Sequence, residues 1–214
     1  MPYGTLALDT IESSGNLSIA GNLAVTGNSA VTGNLAVTGS SSVTGNFRVT
    51  GRLNAPNTMI RIYQVVKTDT FTTASTSYAN VTGLSITVTP SNANSRFLLI
   101  SDLSTGPNPG AGSFAQRFAR DGNAITAYIG DAASTRPRAM ATAYAGDTAG
   151  TAGALNTTKM YLDSPATAAN VTYTIQVAGS TTSPGFINRS QADRDTSTYD
   201  SRTASSFTIF EIGG

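Results

Sequence analysis

No cysteine, no histidine and no tryptophan occurs among the 214 residues of the chain. Without cysteine there is neither a disulfide nor a thiolate nucleophile. Without histidine there is no imidazole acid–base group, and Cys/His zinc sites go with both. Missing cysteine does not locate the protein, because disulfide-free extracellular proteins are common. It leaves stability to packing, hydrogen bonds and oligomerisation. Charge is scarce as well: Asp, Glu, Lys and Arg make up 12% of the residues, and the formal net charge is +1. Binding nucleic acid through its phosphates needs a basic stripe. The tightest basic group here is only Arg117, Arg120, Arg136 and Arg138, so no nucleic-acid partner is expected. No stretch approaches the roughly 20 apolar residues of a membrane helix, and membrane insertion is not expected either. Met1-Pro2-Tyr3-Gly4-Thr5 carries no basic segment followed by an apolar run, so no signal peptide is expected.

What dominates instead is Ser, Thr, Ala, Asn and Gly. These small residues suit short strands and tight turns, and they give little support to long amphipathic helices. The clearest feature is periodic. From Gly15 the chain reads GNLSIA, GNLAVT, GNSAVT, GNLAVT, GSSSVT, GNFRVT, GRLNAP, seven hexads that each begin with glycine. A fixed period over residues 15–56 is the signature of an array. The apolar residues fall on the third and fifth places: Leu17, Ile19, Leu23, Val25, Val31, Leu35, Val37, Val43, Phe47, Val49 and Leu53. A spacing of two puts them on one face of a strand, with Ala24, Thr26 and their equivalents on the other. Gly and Asn, which tolerate positive φ, are expected to supply a corner in every hexad.

One copy of such a ribbon has nothing to bury its stripe against. Ordering its backbone costs about 1–2 kcal/mol per residue. The stripe returns about 1.5–3 kcal/mol only for each side chain fully buried. Three chains around one axis resolve this, each contributing one wall, so a homotrimeric β-shaft with those eleven residues at its centre is expected. Wrapped chains would make a stub of roughly 34 Å and nearly extended ones at most roughly 140 Å; the corners favour the former. A flexible linker has no reason to keep Leu and Val in register. The left-handed β-helix of hexapeptide acyltransferases also has an aliphatic residue every six, but those enzymes use a histidine and need more coils.

After Pro56 the composition changes. Strands are expected at Ile60–Val66, Leu84–Thr89, Phe97–Leu103, Phe114–Arg120, Ala124–Ile129, Thr158–Leu162, Val171–Ala178 and Ser206–Ile212. Asp121-Gly122-Asn123 marks a hairpin between two of them. Loops rich in Gly, Pro and Ser are expected at Thr105–Ser113 and Gly146–Asn156. Eight or so short strands suggest an all-β head over residues 57–214, an antiparallel β-sandwich of jelly-roll type.

The G-N-L-x-V-T stack resembles the shaft repeats of phage tail-fibre and other virion-appendage proteins. The later half resembles a domain of such proteins in cyanophages and marine phages. It does so through Lys67-Thr-Asp-Thr-Phe71, Val81-Thr-Gly-Leu84, Arg120-Asp-Gly-Asn123, Tyr161-Leu-Asp-Ser-Pro165, Val171-Thr-Tyr173, Ile187-Asn-Arg-Ser190 and Thr203–Glu211. The resemblance implies a trimeric, non-enzymatic virion protein without a cofactor. Its N-terminus, residues 1–14 with Leu6, Leu8 and Ile11, would dock on other phage structural proteins, and its head would contact the host surface. A capsid or neck decoration protein is the competing reading.

Candidate sites are fewer. Tyr128, Tyr144 and Tyr199 lie in or beside polar loops with Arg136, Arg138 and Arg194 in the same segments. Aromatic rings beside polar groups suit a host surface glycan or lipopolysaccharide, against which stand ordinary loop packing and the missing Trp. Asp193, Asp195 and Asp200 form the densest carboxylate cluster, a weak metal candidate without the spacing of an EF-hand loop, or simply an Arg-paired loop. A glycosidase pair would need one raised pKa across a cleft, which nothing in the spacing supports. Phe97, Leu98, Leu99, Ile100, Phe207, Ile209, Phe210 and Ile212 read as core and trimer contacts.

Overall fold

The computed structural model describes residues 18, 19, 22–50, 56–106, 113–143, 154–180, 182, 184–196 and 200–214. The chain divides into two units, Met1–Arg48 and Val49–Gly214. Leu17, Leu53, Tyr144, Tyr199 and the segment 1–14 lie outside the described residues.

In the first unit a bend falls at Thr26-Gly27, Thr32-Gly33, Thr38-Gly39 and Thr44-Gly45, one per hexad. The spacing of the corners matches the expectation, but their construction differs. None of these four glycines has positive φ, and the corner sits on Thr–Gly rather than Gly–Asn. Nor does a strand form over residues 22–50. A strand ladder needs a hydrogen-bonding neighbour, and a single run of hexads offers none. Every described residue before Thr50 is exposed. The apolar places Ile19, Leu23, Val25, Val31, Leu35, Val37, Val43, Phe47 and Val49 are no exception.

The second unit is all-β. Its strands among the described residues are β1 (Met59–Lys67), β2 (Phe71–Thr73), β3 (Ala79–Val88), β4 (Arg96–Gly106), β5 (Phe114–Arg120) and β6 (Asn123–Ala124), followed by β7 (Ala141–Ala143), β8 (Leu155–Asp163), β9 (Val171–Ala178), β10 (Gly185–Ile187) and β11 (Ser205–Ile212). The first sheet runs β1-β11-β4-β10-β2, with β8 also paired to β4. The second runs β3-β9-β5-β6, with β7 also paired to β5. Every pairing is antiparallel.

Alternation of side chains along each strand decides what is inside. Phe97, Leu99 and Leu103 of β4 and Phe207 and Ile209 of β11 join Phe114 and Phe118 of β5 and Tyr173, Ile175 and Val177 of β9 in one buried cluster. At Asp121 and Gly122 both φ angles are positive, 49° and 80°, and Arg120 pairs Asn123. This is the two-residue hairpin turn that Asp-Gly favours. The expected strand Ala124–Ile129 stops almost at once. Ile125 enters the core, its N–H bonded to the Phe118 carbonyl at 3.1 Å, and Thr126–Tyr128 form a 3-10 turn. Burying Ile125 and seating Tyr128 against the core outweighs the strand preference of the run. The expected loop at 105–113 begins two residues late, because Thr105 and Gly106 pair with Ile187 and Phe186. A side chain on Gly106 would overlap the Arg189 carbonyl oxygen, which explains glycine there.

Candidate functional site

β5 sends Phe114, Gln116, Phe118 and Arg120 to the same side, and the first and third of these are core residues. Arg120 is the last of the series and emerges where the core ends. Asp163, the last residue of β8, meets it there: Arg120 Nη1 lies 2.8 Å from Asp163 Oδ2. The same oxygen accepts the Tyr173 hydroxyl at 2.7 Å. Asp163 and Tyr173 are buried, while the Arg120 side chain is 36% exposed. Burial first, and then the bond to Asp163, holds the Tyr173 phenol far above its usual pKa. A carboxylate taken from water needs such partners, and here a cation and a hydroxyl supply them.

Arg120 and Asp163 of this network line an open groove of about 450 Å³. The groove is also lined by the Asp121–Asn123 turn, Thr126, Tyr161 and Ser164. Asp121 Oδ1 accepts the Thr172 N–H at 2.8 Å, so both carboxylates of the groove are already engaged. The Tyr161 ring stacks on Tyr128 at 4.8 Å between centroids, Tyr128 on Phe118 at 6.0 Å, and Phe118 on Phe207 at 5.9 Å. A ladder of four rings thus runs from the core to the groove. Side-chain hydroxyls, an amide and a half-exposed guanidinium beside an aromatic wall can hold a polar, hydroxyl-rich ligand.

A second polar network ties the first sheet together. Asn188, fully buried with φ 63°, donates from Nδ2 to the carbonyls of Lys67 at 2.8 Å and Asp69 at 2.9 Å. Its Oδ1 accepts the Ser205 hydroxyl at 2.6 Å. Lys67, itself buried, places its ammonium 2.8 Å from the exposed Asp69, and that bond holds the Asp69 carboxyl below its usual range. Its side chain runs over Gly83, whose φ of 87° sits within the register shift of β3.

Of the residues expected to hold a glycan, Tyr128, Arg136 and Arg138 lie among the described residues. Tyr128 serves the ring ladder and is partly buried. Arg138 donates from Nε to the Gly130 carbonyl at 2.6 Å, and its own carbonyl accepts the Tyr78 hydroxyl at 2.7 Å. Arg136 is exposed on the same loop. In the carboxylate cluster, Asp193 pairs with Arg202 at 2.8 Å and Arg189 at 3.4 Å, and Asp200 pairs with Arg194. The Arg194 bond, more than the one from Ser190, holds the Asp200 carboxyl well below the usual range. Asp195 is exposed. Among the described residues no group of three or more acidic side chains could hold a metal ion.

Arg120, Asp163 and Tyr173 were not singled out as a site by residue type or spacing. They do fall in three of the segments that carry the virion-appendage resemblance, Arg120–Asn123, Tyr161–Pro165 and Val171–Tyr173, and those segments meet at this groove. Segments Lys67–Phe71, Ile187–Ser190 and Thr203–Glu211 meet likewise at Asn188. No known protein-family model matches the chain, and no curated protein matches it.

Proposed function

We propose that the chain is a structural protein of a bacteriophage particle, a homotrimeric tail or baseplate fibre whose head contacts the host cell surface. The observation that carries this reading is the stripe Leu23, Val25, Val31, Leu35, Val37, Val43, Phe47, Val49. Each of these side chains is exposed in the single chain, in phase with one bend per hexad. Apolar residues kept at strand spacing but left in water call for a partner surface of the same period. Two further copies of the chain supply one.

The glycines argue in the same direction. In an extended chain glycine costs about 0.5–1 kcal/mol relative to alanine. Gly27, Gly33, Gly39 and Gly45 have no positive φ, and a side chain there would meet nothing of its own chain within 4 Å. Room for the backbone of another copy is a reason for glycine that one copy lacks.

The head on this reading is a β-sandwich of jelly-roll connectivity. Support comes from the strand order: β1, β11, β4 and β8 lie side by side in one sheet, and β3, β9, β5 and β7 in the other. Along these eight strands the chain passes between the sheets at every step but β5 to β7, as two interleaved Greek keys require. The groove beside Arg120 and Tyr161 is the surface assigned to host contact, with a surface glycan as ligand, and no catalytic role is assigned to the head.

Light scattering on the purified full chain should give three times the chain mass. Val25→Asp should give single chains and Ala24→Asp should leave the assembly intact, since only the first residue lies on the stripe. A single-chain mass for the unaltered protein removes the shaft. Gold-labelled antibody against the protein should mark a projecting appendage on intact particles; label spread over the shell would replace the fibre by a capsid decoration protein.

A further inference from the structure

The outer faces of the two sheets differ in kind. On the second sheet the outward residues pair across strands through polar groups. Ser85 meets Thr174 at 3.0 Å, Thr87 meets Thr172 at 2.9 Å, and Gln176 binds both Arg117 and Asn80 at 2.8 Å. That is a polar face, exposed along β3 at Ser85 and Thr87 and covered at Thr174 and Gln176.

The first sheet is built otherwise. Its register aligns Ile62 of β1 with Phe210 of β11, Phe210 with Leu98 of β4, and Leu98 with Leu162 of β8. These four side chains point away from the core, because their strand neighbours Tyr63, Ile209, Leu99 and Tyr161 point into it or pack against it. The next row, Gln64, Thr208, Ile100 and Met160, adds two more apolar groups, and Ile212 stands on the other side of the first row. Ile62 is 60% exposed and Met160 57%. Polar residues bound the patch: Arg96, bonded to Asn57 at 2.6 Å, on one side, and Asp102, bonded to Asn156 and Thr158, on the other. A continuous apolar area within a polar rim marks an interaction site rather than a scatter of surface hydrophobes.

We infer that this face, centred on Ile62, Phe210, Leu98 and Leu162, is the surface through which heads pack against the heads of the other copies. The inference rests on the trimeric reading above, and chain connectivity selects the occupant. The hexad array ends at Pro56 and β1 begins at Met59, so in sequence only Asn57 and Thr58 lie between the array and the strand that carries Ile62. Copies joined through the array hold three such faces at high effective concentration, and a modest apolar patch then suffices to bring them together. A separate partner would have no such advantage.

The chain has no cysteine, so one introduced thiol reports one position. Met160→Cys places it on the apolar face, and Thr87→Cys places it on the polar outer face of the other sheet as a control. In the assembled full chain, maleimide should label Met160→Cys about tenfold more slowly than Thr87→Cys. The two rates should become equal when Val25→Asp separates the copies. Equal rates in a protein whose mass is that of a trimer overturn the head contact and leave the shaft standing. A single-chain mass for the unaltered protein overturns both. Slow labelling that persists in separated copies also overturns it, since cover would then come from the same chain.

Discussion

The two units of the molecule use one code with opposite outcomes. In both, apolar residues recur at a spacing of two, in the array at the third and fifth places of the hexads. In the head, Phe97, Leu99, Phe207 and Ile209 of one sheet meet Phe118, Tyr173 and Ile175 of the other, and all are buried. In the array, Val25, Val31 and Val37 stand in the open. The difference lies in what faces the strand. The head chain folds back on itself and supplies its own second sheet, whereas the hexads form no paired strand over residues 22–50. A period of two therefore specifies a buried face, but chain topology decides whether one copy can bury it.

The largest test of this contrast separates the two units by mutation. Phe118 sits between Tyr128 and Phe207 in the ring ladder and is fully buried. Phe118→Ala should destabilise the head by about 3–5 kcal/mol, read by denaturant unfolding, and should leave the mass in light scattering unchanged. Val25→Asp should do the reverse. If Phe118→Ala also releases single chains at low denaturant, the head, not the array, holds the copies together.

Glycine substitution sharpens the same contrast at a smaller scale. Gly106→Ala, at the end of a paired strand, forces a methyl group into the backbone carbonyl oxygen of Arg189. A loss of about 1–3 kcal/mol in head stability is expected. Gly33→Ala meets nothing in its own chain. Any fall in the melting temperature of the assembly must then come from contact with another copy. An assembly that melts unchanged would place the array glycines away from the copy–copy contact and argue against tightly wrapped chains.

Where the sequence is locally consistent, it is also legible. Phe114–Arg120 and Val171–Ala178 are strands over the whole stretches that alternation and flanking turn residues indicate. The Asp121-Gly122 turn follows from residues that tolerate positive φ. β2, β7 and β10 are three residues each, too short for any period; β7 and β10 pair with the longer β5 and β4, and β2 pairs with β10. The candidate site was hidden for another reason. Asp163 draws its partners from Arg120 and Tyr173, which face each other in the second sheet while Asp163 comes from the first, and no local pattern links three residues that register and sheet packing bring together. Tyr128 was read as a loop aromatic because residue type does not show that Phe118 and Tyr161 flank it. The Arg pairing of Asp193 and Asp200 was legible, since their arginines are close in sequence. Of the apolar residues Phe97, Leu98, Leu99, Ile100, Phe207, Ile209, Phe210 and Ile212, alternation sends half into the core and half onto the outer face, a division that residue type alone does not show.

The gentlest test uses pH. From Gly15 to Thr50 the only ionisable side chain is Arg48, so the array has nothing that titrates between pH 5 and 11 by ordinary reference values. The head does. Tyr173 and Tyr78 are both raised by burial, Tyr173 the further because it also donates to Asp163. In the unfolded chain a tyrosine ionises near pH 10, whereas folded Tyr173 keeps its proton. Its contribution to stability is therefore intact below about pH 10. Above that it is lost, because the folded state then binds more protons than the unfolded one. Tyr173 alone should lower head stability by about 1.4 kcal/mol per pH unit there. Tyr173→Phe should remove one proton from that slope, measured by denaturant unfolding at pH 9.5–11.5, and an unchanged slope would show that the phenol is not held. Light scattering through the same range should report a constant mass while the head loosens. A mass that falls in step with the head would break the contrast between the units, because an array without titrating groups cannot respond to alkali on its own.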